Sequence, residues 1–210
     1  MSRWTRRDAA SETVVRILDV AQHLAQTRGF NGFSYADIAA QLGVTKASLH
    51  YHFASKAELG CALIRRYTQR FCAVLSGIRV SDAEETLHGY VAQYQSLLVR
   101  DELCLCGMFA AERATLPVPM QTELRRFFDK NEEWLAETLE NGRANGLKFE
   151  GRPLDAARTL TAGLQGAMLL SRACREPARF AEIAAQLLSG VGVAPLSAIK
   201  TTRLKKNVRA

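Results

Sequence analysis

The sequence predicts an all-α protein of about nine helices, with an N-terminal three-helix helix-turn-helix module and a larger C-terminal bundle. Three observations carry this expectation. Apolar residues recur at the i, i+3, i+4, i+7 spacing of one buried helix face, while the alternation of a half-buried strand is scarce. Capping signals, a Ser or Thr followed three residues later by an acid, recur ahead of apolar runs. Glycines and prolines fall where helices have to stop or start.

Taken in order, Val14, Ile17, Leu18, Ala21, Leu24 and Ala25 form the inner face of a first helix that stops at Gly29. "SYAD" (Ser34 to Asp37) reads as a capping box, opening a short second helix with Ile38 and Leu42 inward and an end at Gly43. Thr45 caps a third helix that turns Leu49 inward, and Phe53 closes it. "SKAE" (Ser55 to Glu58) is a second capping box, starting a long helix through Leu59, Leu63, Phe71 and Leu75. "SDAEE" opens the next, which carries Leu87, Val91, Tyr94 and Leu98. A Cys-rich apolar segment, "LCLCGMFAAE", follows, and "LPVPM" interrupts the pattern. A long helix then runs through Leu124, Phe127, Phe128, Trp134 and Leu139 toward Gly146. Pro153 and Pro177 sit in the first turns of the last two helices, the second of which holds Phe180, Ile183 and Leu187.

Composition narrows the function. Of the net charge of +7, five units lie in the last eleven residues, "KTTRLKKNVRA", through Lys200, Arg203, Lys205, Lys206 and Arg209. The rest of the chain is therefore only slightly basic, and the tail reads as a solvated end. No apolar run approaches the roughly 20 residues that span a bilayer, and "MSRWTRRDAASE" lacks the apolar stretch of a secretion signal, so a cytoplasmic protein without membrane contact is expected. Cysteines 61, 72, 104, 106 and 174 are odd in number, without disulfide-framework spacing, and are expected reduced. No CxxC pair, Gly-rich phosphate loop or GxSxG elbow occurs. Neither an enzyme nor a cofactor is expected.

The stretch "TKASLHYHFASKAEL" decides the N-terminal module. Two short helices separated by a tight "LGV" turn beneath a longer first helix make a helix-turn-helix unit. Its second helix exposes Lys46, Ser48, His50 and Tyr51 around the buried anchor Leu49, a mixture suited to phosphates and base edges in a major groove. His50 and His52 are two residues apart, about 200° around a helix, and do not converge on one metal.

"FSYADIAAQLGVTKASLHYHFASKAELGCAL" resembles the helix-turn-helix signature of TetR-type transcriptional regulators over roughly residues 12 to 65. The resemblance implies an all-helical homodimer whose first helices bind double-stranded operator DNA and whose C-terminal domain binds an inducer. It implies a DNA-binding domain over 1–58 and a ligand-binding and dimerisation domain over 59–195, while the basic tail over 196–210 is expected to be disordered from its composition. Position by position, Thr45, Lys46, Ala47, Ser48, His50 and Tyr51 fall on the recognition helix, and Ser34 and Tyr35 where the second helix meets backbone phosphate. Lys56 falls at the start of the fourth helix, where its charge and the helix N-terminus both favour phosphate. Arg3, Arg6 and Arg7 form either an arm toward a minor groove or a frayed end. The family often has tyrosine where this chain has His50, and an aromatic where it has His52.

"CLCGMFAAERATLP" with "ENGRANGLKFEGRPLDAA" resembles a smaller subgroup that includes electrophile-responsive repressors. Cys104 and Cys106 accordingly have three open readings: two small buried residues, a redox or electrophile sensor, or part of a soft-metal site with no further ligand nearby. Arg113 and His88 would stabilise a thiolate if adjacent. Tyr90, Tyr94, Phe109, Met120, Phe127, Trp134 and Met168 are either core or the lining of an apolar ligand cavity. Gly163, Ala167 and Ser171 form a small-residue stripe on the penultimate helix, and with Leu187 they either pack inside one subunit or form a dimer seam. The expected function is a homodimeric repressor released from its operator by a small-molecule inducer or thiol modification. The alternatives are a ligand-independent architectural DNA-binding protein and a cysteine-dependent enzyme.

Overall fold

The computed structural model describes residues 6–79 and 82–194, with side chains from residue 12 onward. The basic tail, Arg3, and the side chains of Arg6 and Arg7 lie outside the described residues. Among the described residues there are nine α-helices, one short 3₁₀ turn and no strand. None of these helices is long and apolar enough to cross a membrane.

Helix α1 (Arg6–Arg28) buries Ile17, Leu18, Ala21, Leu24 and Ala25, and ends where Gly29 takes a left-handed φ of 81°. Helix α2 (Tyr35–Leu42) starts at the expected capping box: the Ser34 side chain accepts from the Asp37 amide, and the Asp37 carboxylate accepts from the Ser34 amide at 2.7 Å. It ends at Gly43, φ 68°, whose missing Cβ makes that conformation strain-free. Helix α3 (Lys46–His52) follows at once, capped by Thr45 and anchored by Leu49, which is 1% exposed. Helix α4 (Lys56–Ile78) is capped by Ser55. Its Glu58 carboxylate closes the cap one residue further back than the expected box, accepting from the Ala54 amide at 3.0 Å.

The bundle comprises α5 (Ala83–Leu98), α6 (Leu105–Ala111), α7 (Val118–Ala144), α8 (Pro153–Cys174) and α9 (Pro177–Ser189). Pro153 and Pro177 occupy the first turns of α8 and α9, where a missing amide proton breaks no helical bond. The Cys-rich segment, for which periodicity alone offered no assignment, is α6, a short helix wedged between α1, α4 and α7. Helix α8 lies between α7 and α9, and α4 runs from the N-terminal module into the bundle against α7.

The small-residue stripe faces inward. Ala167 and Ser171 are buried within the subunit, and a Cβ at Gly163 would stand 2.6 Å from Leu187 Cδ1 of α9. Burial of Ala167 and Ser171 inside the subunit corrects the expectation of a dimer seam at those two, while Gly163 and Leu187 pack on each other across α8 and α9 and are both half-buried. The outer face of α8 instead presents Leu169 and Leu170, both about half exposed.

Candidate nucleic-acid interface

Helix α3 sets the geometry of the candidate site. At about 100° per residue, Lys46, Ala47, His50 and Tyr51 fall within roughly 140° of arc, opposite Leu49. The structure exposes all four, Tyr51 to 84%. Thr45 is also exposed, but its side-chain oxygen accepts from the Ser48 amide at 3.2 Å, so cap and candidate contact share one atom. Ser48 is half-buried on the flank. The His50 ring leans on Tyr35, with centroids 4.7 Å apart, and its Nδ1 lies 3.3 Å from the Ala54 carbonyl. A carbonyl only accepts, so that bond needs the proton on Nδ1 and leaves Nε2 of the neutral ring as an acceptor. His52 packs edge-on against Tyr51 at 5.1 Å. Among the described residues no group of three His, Cys, Asp or Glu is placed to hold a metal.

Two expected phosphate contacts are engaged elsewhere. Tyr35 is buried, its hydroxyl donating to the Phe53 carbonyl at 2.9 Å, and burial followed by the nearby Glu58 charge pushes its pKa up to about 12. It therefore ties α2 to the end of α3 instead of facing solvent. Lys56 points its ammonium between the carbonyls of Phe30 and Phe33 and over both rings, 4.5 Å from each centroid. Desolvation lowers its pKa, opposed by the charges of Glu112 and Asp37. A cation held this way steadies the α1–α2 turn and is not free for DNA. Ser34 remains exposed at the start of α2, with its hydroxyl donating to Asp37 at 2.6 Å.

The residues that join this module to the bundle were missed by sequence reasoning. Glu112, at the end of α6, accepts from the Phe30 amide at 2.6 Å and from the Asn31 amide at 3.3 Å. Its Oε1 lies 2.7 Å from where a Cβ on Gly29 would stand, and the φ of 81° there is what calls for glycine. At the other end of α6, the Leu103 amide donates to the Gln26 carbonyl and the Gln26 side chain donates to the Leu103 carbonyl. Arg172 of α8 donates to the Thr27 carbonyl at 3.0 Å. These partners lie 77 to 145 residues apart in the chain, so no local pattern marks them.

The expected sensor and pocket residues are mostly core. Cys104 and Cys106 are 1% and 0% exposed, and the Tyr67 hydroxyl donates to Cys104 Sγ at 3.6 Å. Burial, with Cys104 adding to it, pushes the Cys106 thiol well above its usual range. Arg113 is exposed in the 3₁₀ turn Arg113–Thr115, and His88 sits half-buried on α5. Tyr90 and Tyr94 share a buried network: their hydroxyls are 3.1 Å apart, Thr161 lies 3.3 Å from Tyr90, and the Asn131 amide donates to Tyr94. Trp134 stacks on Tyr90, Phe127 packs on Tyr67 and Phe71, Phe109 packs on Phe30, and Met168 is buried. These side chains fill the bundle rather than lining one open cavity.

Known proteins match this arrangement. Residues 17–62 fit the model of the bacterial regulatory proteins of the tetR family. The chain is 38% identical over 58 residues to the HTH-type transcriptional regulator TtgR of Pseudomonas putida, a stretch covering 28% of each protein. Whole-chain likeness is closer in shape. A TetR-family transcriptional regulator from Agrobacterium tumefaciens superposes with a TM-score of 0.84 at 32% identity, covering 88% of this chain and 100% of that one. The reduced form of E. coli NemR superposes with a TM-score of 0.74 at 26% identity, covering 88% and 99%. With the helix-turn-helix matched in sequence and the whole fold matched at 32% identity, the chain belongs to the TetR family of bacterial transcriptional regulators.

Proposed function

We propose that this regulator is a homodimeric, cytoplasmic repressor that grips operator DNA through α3 and is released from it by a small-molecule inducer. The observation that carries the reading is that the end of α1 and the turn after it are hydrogen-bonded to the bundle at three points: Leu103 and Arg172 donate to the Gln26 and Thr27 carbonyls, and the Glu112 carboxylate accepts from the Phe30 amide. A ligand that prefers one arrangement of the bundle then shifts the population of the module's positions. Two recognition helices have to match half-sites about 34–36 Å apart, so a small change in their separation alters affinity. The exposed leucines on the outer face of α8 support dimerisation through that face.

Thr45, Lys46, Ala47, His50 and Tyr51 are the proposed groove contacts, with Ser34 at the start of α2 and Ser48 on the flank. Direct modification of Cys104 is a second route, supported by its hydrogen bond from Tyr67, but it requires the core to open first. The test is fluorescence anisotropy with DNA from upstream of the protein's own gene. Tyr51→Ala and Lys46→Ala are expected to weaken binding without shifting the melting temperature. Unchanged affinity in both variants would remove α3 as the reading helix.

A further inference from the structure

A cleft of about 150 Å³ opens at the surface between α1, α4 and α5, over one side of the aromatic core. Its floor is aromatic. Tyr67 and Tyr94 are buried beneath it, their hydroxyls held by Cys104 and by Tyr90 and Asn131, so the half-buried Phe71 is the ring the cleft can offer. The rim is cationic: Arg70 of α4 and Arg100, just beyond α5, are each more than half exposed. Gln22 of α1, Val74 of α4, and Gln93 and Leu97 of α5 stand in the remaining walls.

The charges around this cleft do not balance. Asp19 is shared by Arg66 at 2.9 Å and Arg70 at 3.5 Å, while Glu102 is held by Arg100 at 3.0 Å. His23 also contacts Glu102 at 3.0 Å. Three guanidinium groups thus stand against two carboxylates, leaving one positive charge in surplus even with His23 neutral. Arg66 is desolvated and repelled by Arg70, and both effects lower its pKa. A guanidinium fork with a free edge recognises a carboxylate plane, and an open cleft of about 150 Å³ has room for one small ring beside Phe71.

We infer that this cleft binds a small aromatic monocarboxylate, its ring against Phe71 and its carboxylate at the Arg70–Arg100 rim. As an inducer site it rests on the regulatory reading above, while binding by itself does not. The link to DNA is short: Arg66 Nη2 donates to Gln22 Oε1 at 3.1 Å, so a ligand seated here bears directly on α1, which carries the DNA-binding module.

Isothermal titration of the full chain with benzoate, benzyl alcohol and benzylammonium at low salt tests it. Benzoate is expected to bind at least about tenfold more tightly than the other two, because only it gains charge-assisted hydrogen bonds. Arg70→Gln with Arg100→Gln is expected to remove that advantage and leave benzyl alcohol unchanged, and Val74→Trp to block both probes. Amide NMR shifts of the unaltered protein on adding benzoate locate the site even if a variant fails to fold. Shifts confined to α1, α4 and α5 support the cleft. Shifts centred on Arg79, Thr138 and Asn141, which line a second cleft, overturn it, as does equal binding of all three probes or no binding at millimolar benzoate. Operator affinity is measured in parallel. Benzoate binding that leaves DNA affinity unchanged supports the site and discards its role as an inducer site.

Discussion

The Glu112 carboxylate accepts the Phe30 amide at 2.6 Å across 82 residues of sequence, while Lys56 holds the Phe30 carbonyl from the opposite side. One peptide turn is thus fixed by an acid on its amides and a base on its carbonyls, and the acid belongs to the bundle. Glu112→Ala would leave two amides without their acceptor, at an expected loss of about 2 kcal/mol. Glu112→Gln keeps an acceptor and should lose less. Urea denaturation compares them, and equal losses would mean that the attraction to Lys56 outweighs the hydrogen bonds.

Lys56→Ala should act on stability, not on salt dependence. Removing the ammonium leaves the Phe30 and Phe33 carbonyls short of a donor and strips two ring contacts, at an expected loss of about 1–3 kcal/mol. Lys46 is exposed, and Lys46→Ala should reduce the salt slope of DNA binding by about 1. A Lys56→Ala protein of normal stability with a reduced slope would restore Lys56 as a phosphate contact.

Acid should unpick the α2 cap. Hydrogen bonds from Ser34, with help from Arg28, hold the Asp37 carboxyl below its ordinary range. A depressed folded pKa gives stability that is present above the unfolded carboxylate value and is lost as pH falls through the folded one. Melting temperatures of the unaltered protein and Asp37→Asn should therefore differ at neutral pH and converge below the carboxylate range. A constant gap across that range would show that the charge plays no part.

Gly163→Leu should destabilise the subunit itself. The added side chain meets Leu187 well inside contact distance, and overpacking of this kind costs about 1–3 kcal/mol. Thermal melts should register the loss, whereas sedimentation of the folded fraction should show little change in association. A weakened dimer with an unaltered melt would return Gly163 to an intersubunit seam.

Alkylation should follow burial. Cys174 is exposed and Cys72 half-buried, whereas Cys61, Cys104 and Cys106 are buried. A mild electrophile is expected to label Cys174 first, then Cys72, and the other three only on unfolding. Mass spectrometry of the native protein reads the order. Early labelling at Cys104, together with DNA release that Cys104→Ser abolishes, would establish the thiol route and show that α6 opens in solution.

The sequence by itself determined the helices and most of their ends. Ser34, Thr45 and Ser55 cap with their own side chains, Gly29 and Gly43 end helices by backbone freedom, and Leu49 anchors α3 through one face of the repeat. All of these act within a few residues, so spacing alone exposes them. Tertiary structure decided where the side chains on that frame point. Lys56 stands at a helix start that invites phosphate, yet two carbonyls and two rings from the α1–α2 turn claim its ammonium. Gly163 permits a close approach whatever lies against it, and only the placement of α9 put Leu187 of the same chain there. Glu112 and Arg70 carry no local signature, because their roles depend on partners that only the folded chain brings within hydrogen-bond reach.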